Sequence, residues 1–309
     1  MAVPTWYCNV TVANVWTSPD SVRPQDEPSM SNPARPREWL GNLSLADRLE
    51  LSEENRIQTQ LVYGEPVIVD EMQGDWARVC AVWQTTSKDS RGYPGWVPLR
   101  QLKQAQPISA EGFAKVTAGK AQLWNPDGSP SLVLPFNVIL PYWYVLDGEI
   151  HVCTPEGDGI LQLDDVELAP SVHQFLKLPV ETAVERGLAF LDLPYLWGGT
   201  SSYGYDCSGF TYSMYKACGH FIPRDAADQA RQGIAIPTTD PSNWQTGDLL
   251  FFASDEGQGN IRHVGFYYGD GLLFHAPSTG KSIEIIKLAG TPYERELCAV
   301  RRLGFDSTK

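Results

Sequence analysis

The sequence predicts two small all-β barrels followed by an α+β domain, and three observations carry that reading. Up to about residue 105, short apolar alternations (VTVANVW, EPVIVDEM, WARVCAVW, GWVPL) are separated by Gly, Pro, Asp and Ser, the pattern of a small antiparallel barrel. The same style recurs up to about residue 170 in FAKVTAG, AQLWNPDG, SLVLPFNVILPYWYVLDG, EIHVCTPEG and GILQLDDVEL, each ending at a turn signal. After Pro170 the period changes. VETAVERGLAFLDL and CSGFTYSMYKACG carry apolar residues at helical spacing, whereas DLLFFAS, HVGFYYG, GLLFHAP and ELCAVRRL read as strands of an antiparallel sheet. The expected domains are residues 1–105, 106–172 and 173–309.

The first barrel is interrupted by a Pro- and charge-rich insertion, roughly residues 18–56, in which LSLADRLELSEENR forms a short helix capped by Ser44. In the second, SLVLPFNVIL is too short and too proline-broken to cross a membrane, so no membrane insertion is expected.

With 309 residues, 42% hydrophobic and 20% charged, the chain has the profile of a folded protein with more than one core. The net charge of −13 argues against nucleic acid, because phosphate binding depends on Lys and Arg clusters. The same field disfavours anionic membranes and polymers and suits a small diffusing ligand. The start, MAVPTWYCNV, lacks the basic and then apolar run of an export signal. A cytoplasmic location is therefore the expectation, with periplasmic or extracellular placement following if the chain is a processed form. Nothing in the sequence sets the oligomeric state, and a monomer is the working expectation.

Six cysteines (Cys8, Cys80, Cys153, Cys207, Cys218, Cys298) are scattered without CxxC pairs, unlike a metal site or a dense disulfide framework. Reduced thiols are expected, five of them as buried small hydrophobes. Cys207 differs. In YLWGGTSSYGYDCSGFTYSMYKACG a Gly-rich loop ends at Cys207 and a helical pattern begins at once, which places the sulfur at a helix N-terminus, where free amides and the dipole favour a thiolate. Gly209 allows close approach of another backbone or a substrate.

A cysteine nucleophile needs a base within hydrogen-bond reach and a third group to orient that base. His263 begins HVGFYYGD, and His275 lies in GLLFHA beyond a GDG turn. If these segments form a hairpin, both rings share one face, with His263 toward Cys207 and His275 behind it. His151, His173 and His220 have no comparable setting and are expected to be structural or on the surface.

The blocks DCSGF, HVGFYYGDGLLFHA and TGDLLFF resemble the NlpC-type family of papain-like cell-wall cysteine peptidases over most of residues 173–305. The resemblance implies a papain-like α+β catalytic domain with Cys207 as nucleophile, His263 as base and His275 as orienting residue, and no metal or organic cofactor. Two bacterial SH3-like barrels ahead of it, with QTQLVYGEPV and RGYPGWVPL, resemble the YkfC-type γ-D-glutamyl-L-diamino acid endopeptidases. By that resemblance Glu65, Tyr93 and Asp225 recognise the free amino group of an N-terminal L-Ala. Tyr195 of the PYLWGG block faces the nucleophile and helps hold the oxyanion, and Asp206 and Ser208 correspond to substrate-contacting positions, although Asp206 equally suits a helix cap.

One departure stands out. Ala226 replaces the Ser that often follows the Asp of the family's PRD motif, which shifts contact with the D-Glu carboxylate onto Ser208 or Arg224. The implied partner is a small murein peptide, L-Ala-γ-D-Glu-diamino acid, cut at the γ-D-glutamyl bond through a thioester during recycling of wall peptides. Two alternatives are a broader extracellular peptidoglycan hydrolase or amidase, and a non-catalytic wall-peptide-binding protein.

Overall fold

The structure, a computed structural model, describes residues 5–105 and 110–303; the expected junction at residue 106 lies outside the described residues. The chain divides into two compact units, Met1–Leu176 with Thr200–Tyr203, and Lys177–Gly199 with Gly204–Lys309.

In the first unit, the alternating segments of the first ~100 residues form a seven-stranded antiparallel sheet. Its order is Ile57–Val62, Val12–Trp16, Tyr93–Pro98, Trp76–Ala81, Pro66–Gln73, Thr5–Cys8 and Leu102–Ala105. Its inward residues, among them Val15, Leu61, Val79 and Val97, make one apolar core. A second seven-stranded sheet follows from Gly112–Val116 to Val166–Ala169. The long apolar run SLVLPFNVILPYWYVL splits into strands Pro130–Pro135 and Ile139–Leu146, because Asn137 takes a positive φ of 68° and turns the chain. Val62 and Tyr63, at the end of a first-sheet strand, are buried in the second sheet's core, so the two barrels cohere as one unit.

The insertion holds three short helices rather than one. Leu45–Glu53 carries the expected Ser44 cap, the Asp47 amide donating to the Ser44 hydroxyl and the Asp47 carboxylate accepting in return from the Ser44 amide. Glu27–Met30 and Pro36–Asn42 each take a proline in the first turn, where its missing N–H costs nothing. Buried Arg23 ties the insertion together through Asp26 and Glu50, both at 2.9 Å, and Trp39 Nε1 donates to Asp26 at 2.9 Å.

Thr200–Tyr203 belongs with this first unit through Gln60, whose side-chain oxygen accepts from the Thr200 amide at 3.1 Å and the Ser201 hydroxyl at 3.0 Å.

The second unit has a six-stranded antiparallel sheet ordered Ile234–Ile236, Leu297–Arg302, Leu249–Ala253, Ile261–Gly269, Leu272–His275, Glu284–Lys287. Helix Cys207–Ala217 packs on strand Ile261–Gly269, and helix Val180–Gly187 packs on it in turn. Every residue from Ser208 to Ala217 is buried, as expected of a helix that is largely apolar around its circumference. The Phe210 ring meets Tyr205, Phe266 and Phe274 at centroid distances of 5.8, 5.8 and 5.1 Å. No helix among the described residues is long and apolar enough to cross a membrane.

Phe210 is fully buried, and its replacement by Ala should lower unfolding free energy by about 3–5 kcal/mol. Urea denaturation followed by fluorescence will measure this; a loss under ~1 kcal/mol would show that the aromatic cluster does not hold the helix.

Candidate active site

The loop before Cys207 is shaped by close backbone contacts. The Asp206 amide donates to Gly199 O at 3.1 Å, and a β-carbon on Gly209 would sit 2.0 Å from that same oxygen, so only glycine fits. Asp206 is the N-cap, accepting from the Gly209 amide at 2.6 Å. Its two carboxylate oxygens also receive Arg224 at 3.0 and 2.6 Å, and the Ser208 hydroxyl accepts from Arg224 at 2.9 Å. Arg224 is 1% exposed, so its charge is committed to Asp206 and it offers the D-Glu carboxylate no open face. Gln229 bonds Thr211 at 2.8 Å and the carbonyls of Ser208 and Pro223 at 3.1 and 2.9 Å, binding the short helix Ala226–Gln229 to the nucleophile helix.

The two histidines meet across the expected hairpin. Phe266 pairs with Phe274 in register, which puts Gly265 opposite His275 and leaves His263 diagonal to it on the same face. A β-carbon at residue 265 would lie 2.8 Å from the His275 β-carbon. Its absence gives His263 Nε2 room to reach His275 Nδ1 at 2.7 Å. Both rings are buried. Tyr293 covers them, its ring centroid 5.0 Å from each, stacked on His263 and edge-on to His275.

Cys207 is partly exposed as a residue, yet burial of its thiol and then the Asp206 charge push that thiol up to about 12. The backbone amides of Val264 and Ser208, with Arg224, pull the other way. The thiolate expected at a helix N-terminus is therefore not favoured on its own, because burial outweighs the amides. Burial, followed by the neighbouring His275 and Arg262, holds His263 well below the ordinary histidine range. Burial thus penalises the charged form of each group and favours the neutral thiol and the neutral ring. Tyr195 is buried, and burial, then the charges of Cys207 and Asp206, keep its hydroxyl protonated and available as a donor.

Asp225 is the N-cap residue of Ala226–Gln229, and its side chain makes no cap bond. Glu65 is 2% exposed in the first unit. Its carboxylate accepts from the Val62 amide at 3.1 Å and from Gln84 Nε2 at 2.9 Å, both uncharged donors. Tyr93 is equally buried, and its hydroxyl accepts from Lys88 Nζ, which also sits 4.3 Å above its ring. Four of the other cysteines are buried as expected; Cys298 is partly exposed, with its thiol on Phe251 O at 3.3 Å.

A profile of the NlpC/P60 family matches residues 192–302. Two γ-D-glutamyl-L-lysine dipeptidyl-peptidases are similar along nearly the whole chain. That of Bacillus subtilis is 44% identical over 94% of this chain and 96% of its own length. That of Bacillus cereus is 38% identical over 96% and 90%. A crystal structure of an NlpC/P60 family protein from Bacillus cereus superposes with a TM-score of 0.90 at 36% identity, covering 97% of this chain and 99% of that one. This chain belongs to the NlpC/P60 family. It is a cysteine peptidase with two all-β domains ahead of its catalytic domain.

The NlpC/P60 match contains Tyr195, Cys207, His263 and His275, whereas Glu65 and Tyr93 lie outside it. It also contains groups the sequence reading did not single out: Gly265, Tyr293, Gln229 and the Val264 amide. Of these, only the Gly two residues after His263 left a trace in the sequence, as a glycine inside a strand pattern.

Replacing His263 with Ala removes the imidazole expected to act as base while leaving Asp206 in place. Iodoacetamide labelling of Cys207 at pH 7 should then fall by about 100-fold and climb about tenfold per pH unit through the alkaline range, as a high-pKa thiol requires. Equal labelling of variant and wild type would separate the two groups.

Proposed function

We propose that this chain is a γ-D-glutamyl-L-diamino acid endopeptidase that removes L-Ala-D-Glu from murein peptides bearing a free amino terminus. The observation that carries the reading is the buried His263–His275 pair at 2.7 Å, whose first strand, Ile261–Gly269, packs against the helix that Cys207 begins. The relatives named above fit it, since their names describe release of dipeptides at a γ-D-glutamyl-L-lysine bond.

Cys207 attacks the γ-carbonyl of D-Glu as its proton passes to His263. The oxyanion is received by the Cys207 amide and the Tyr195 hydroxyl. Collapse breaks the amide bond, His263 protonates the departing amine, and a thioester remains. The same imidazole then takes a proton from water, which attacks the thioester and frees the dipeptide. His275 holds the His263 ring by its Nε2, and Arg224 fixes Asp206 and the start of the helix rather than touching substrate.

Selection of the free amine is assigned to Glu65, Tyr93 and Asp225. Glu65 supports this by its setting: it is buried, its donors among the described residues are the uncharged Val62 amide and Gln84, and a cationic ligand would supply the missing opposite charge. A peptide still joined to sugar lacks that cation, so exclusion contributes to specificity.

With L-Ala-γ-D-Glu-L-Lys as substrate, mass spectrometry should show L-Ala-D-Glu and Lys from wild type and neither from folded Cys207→Ala. N-acetylation of the peptide should lower kcat/KM by about 100-fold, the scale of losing a buried charge pair. Unchanged cleavage of the acetylated peptide would indicate the broader wall hydrolase.

A further inference from the structure

An imidazole has two ring nitrogens, and His263 commits Nε2 to His275. Proton exchange with Cys207 therefore falls to Nδ1. To accept a proton, Nδ1 must be bare in the neutral ring, so the hydrogen of His263 sits on Nε2 and points at His275 Nδ1. His275 Nδ1 must then be bare as well, and the hydrogen of His275 must sit on its own Nε2. In the reverse arrangement His275 donates through Nδ1, His263 carries its hydrogen on Nδ1, and it is disabled as a base. Burial, and next the charge of Lys281, lower His275 to about 3, so the choice lies between two neutral tautomers.

The productive tautomer needs an acceptor at His275 Nε2. That atom is buried and has no hydrogen-bond partner at standard distance among the described residues. An N–H left there without an acceptor would be costly, which favours the unproductive tautomer. Strand pairing sets Glu284 directly across from His275, and Glu284 Oε1 stands 3.6 Å from the orphan nitrogen. The Glu284 side chain is 40% exposed, so it stays hydrated and has room to rotate closer or to act through one bridging water. Either route leaves the hydrogen on the same nitrogen.

We propose that Glu284 is a positioning residue of the proton relay: its carboxylate accepts from His275 Nε2 and thereby selects the tautomer that leaves His263 Nδ1 free to act as base. The role rests on the assignment of Cys207, His263 and His275 to catalysis. It makes the relay four groups long, from sulfur through two rings to a carboxylate at the domain surface.

The test uses the full chain labelled with 15N-histidine, the His275 signals being assigned with His275→Asn. Wild type should show a protonated Nε2 and a bare Nδ1 at His275. In Glu284→Leu the hydrogen should move toward Nδ1, and kcat/KM should fall on the order of tenfold, mostly in kcat, as for loss of a hydrogen bond to a charged group. Glu284→Gln, whose amide oxygen still accepts, should keep the wild-type tautomer and most of the activity. An unchanged tautomer and rate in Glu284→Leu overturns the proposal, as does an equal loss in both variants with a lowered Tm, which marks a packing role. Undiminished hydrolysis by His263→Ala would instead defeat the underlying catalytic assignment.

Discussion

A single hydrogen bond between two buried imidazoles governs the arrangement of the catalytic unit. At 2.7 Å it fixes the His263 ring in orientation and in the nitrogen it presents, and several features of the surrounding sheet serve it. The hairpin register sets the diagonal, Gly265 clears the space between the side chains, and Tyr293 roofs both rings. A hydrogen bond in such dry surroundings is stronger than one in water, and the penalty for a missing partner is larger by the same cause.

The same dryness explains how charge is distributed around the nucleophile. Asp206 is paired with Arg224 and capped by the Gly209 amide, so the strongest local charge beside Cys207 is fixed in position and largely balanced. Burial favours the neutral forms of the Cys207 thiol and the His263 ring alike. Glu65 presents a contrasting solution in the first unit: a buried carboxylate supported by Gln84, itself oriented by Thr59 at 2.6 Å and the Gln60 carbonyl at 2.7 Å. Its donors among the described residues, the Val62 amide and Gln84, carry no charge.

The fold class, two β-sheets ahead of a catalytic domain, and the candidate site segments were legible in the sequence because each leaves a local mark. Period-two runs with turn residues identify the sheets, and a Gly-rich loop running into a helical pattern identifies Cys207. The Ser44 cap is likewise a local signal. What escaped depends on long-range register. Glu284 and Tyr293 lie 9 and 18 residues beyond His275 in sequence, and nothing local indicates that one strand partner and one short helix return to the same ring. Arg224 was read, with Ser208, as a substrate contact because Ala226 lacks the hydroxyl that often follows the Asp of the PRD motif. Its guanidinium pairs with Asp206, and only the fold reveals that this carboxylate is within reach. Depth is hidden for a related reason: the helix terminus at Cys207 is visible in sequence, whereas the burial that raises its thiol is not.

Gln60 has a consequence for how the chain is made. The acceptor sits in the first barrel, yet the amide and hydroxyl it serves are at Thr200 and Ser201, 140 and 141 residues later. On a ribosome working from the amino end, both barrels have emerged long before those donors exist. Water must satisfy Gln60 in the interim, and the first unit reaches its final set of bonds only once synthesis has passed Tyr203. Order of assembly is thus written into the molecule: the earliest part to fold is among the last to be finished.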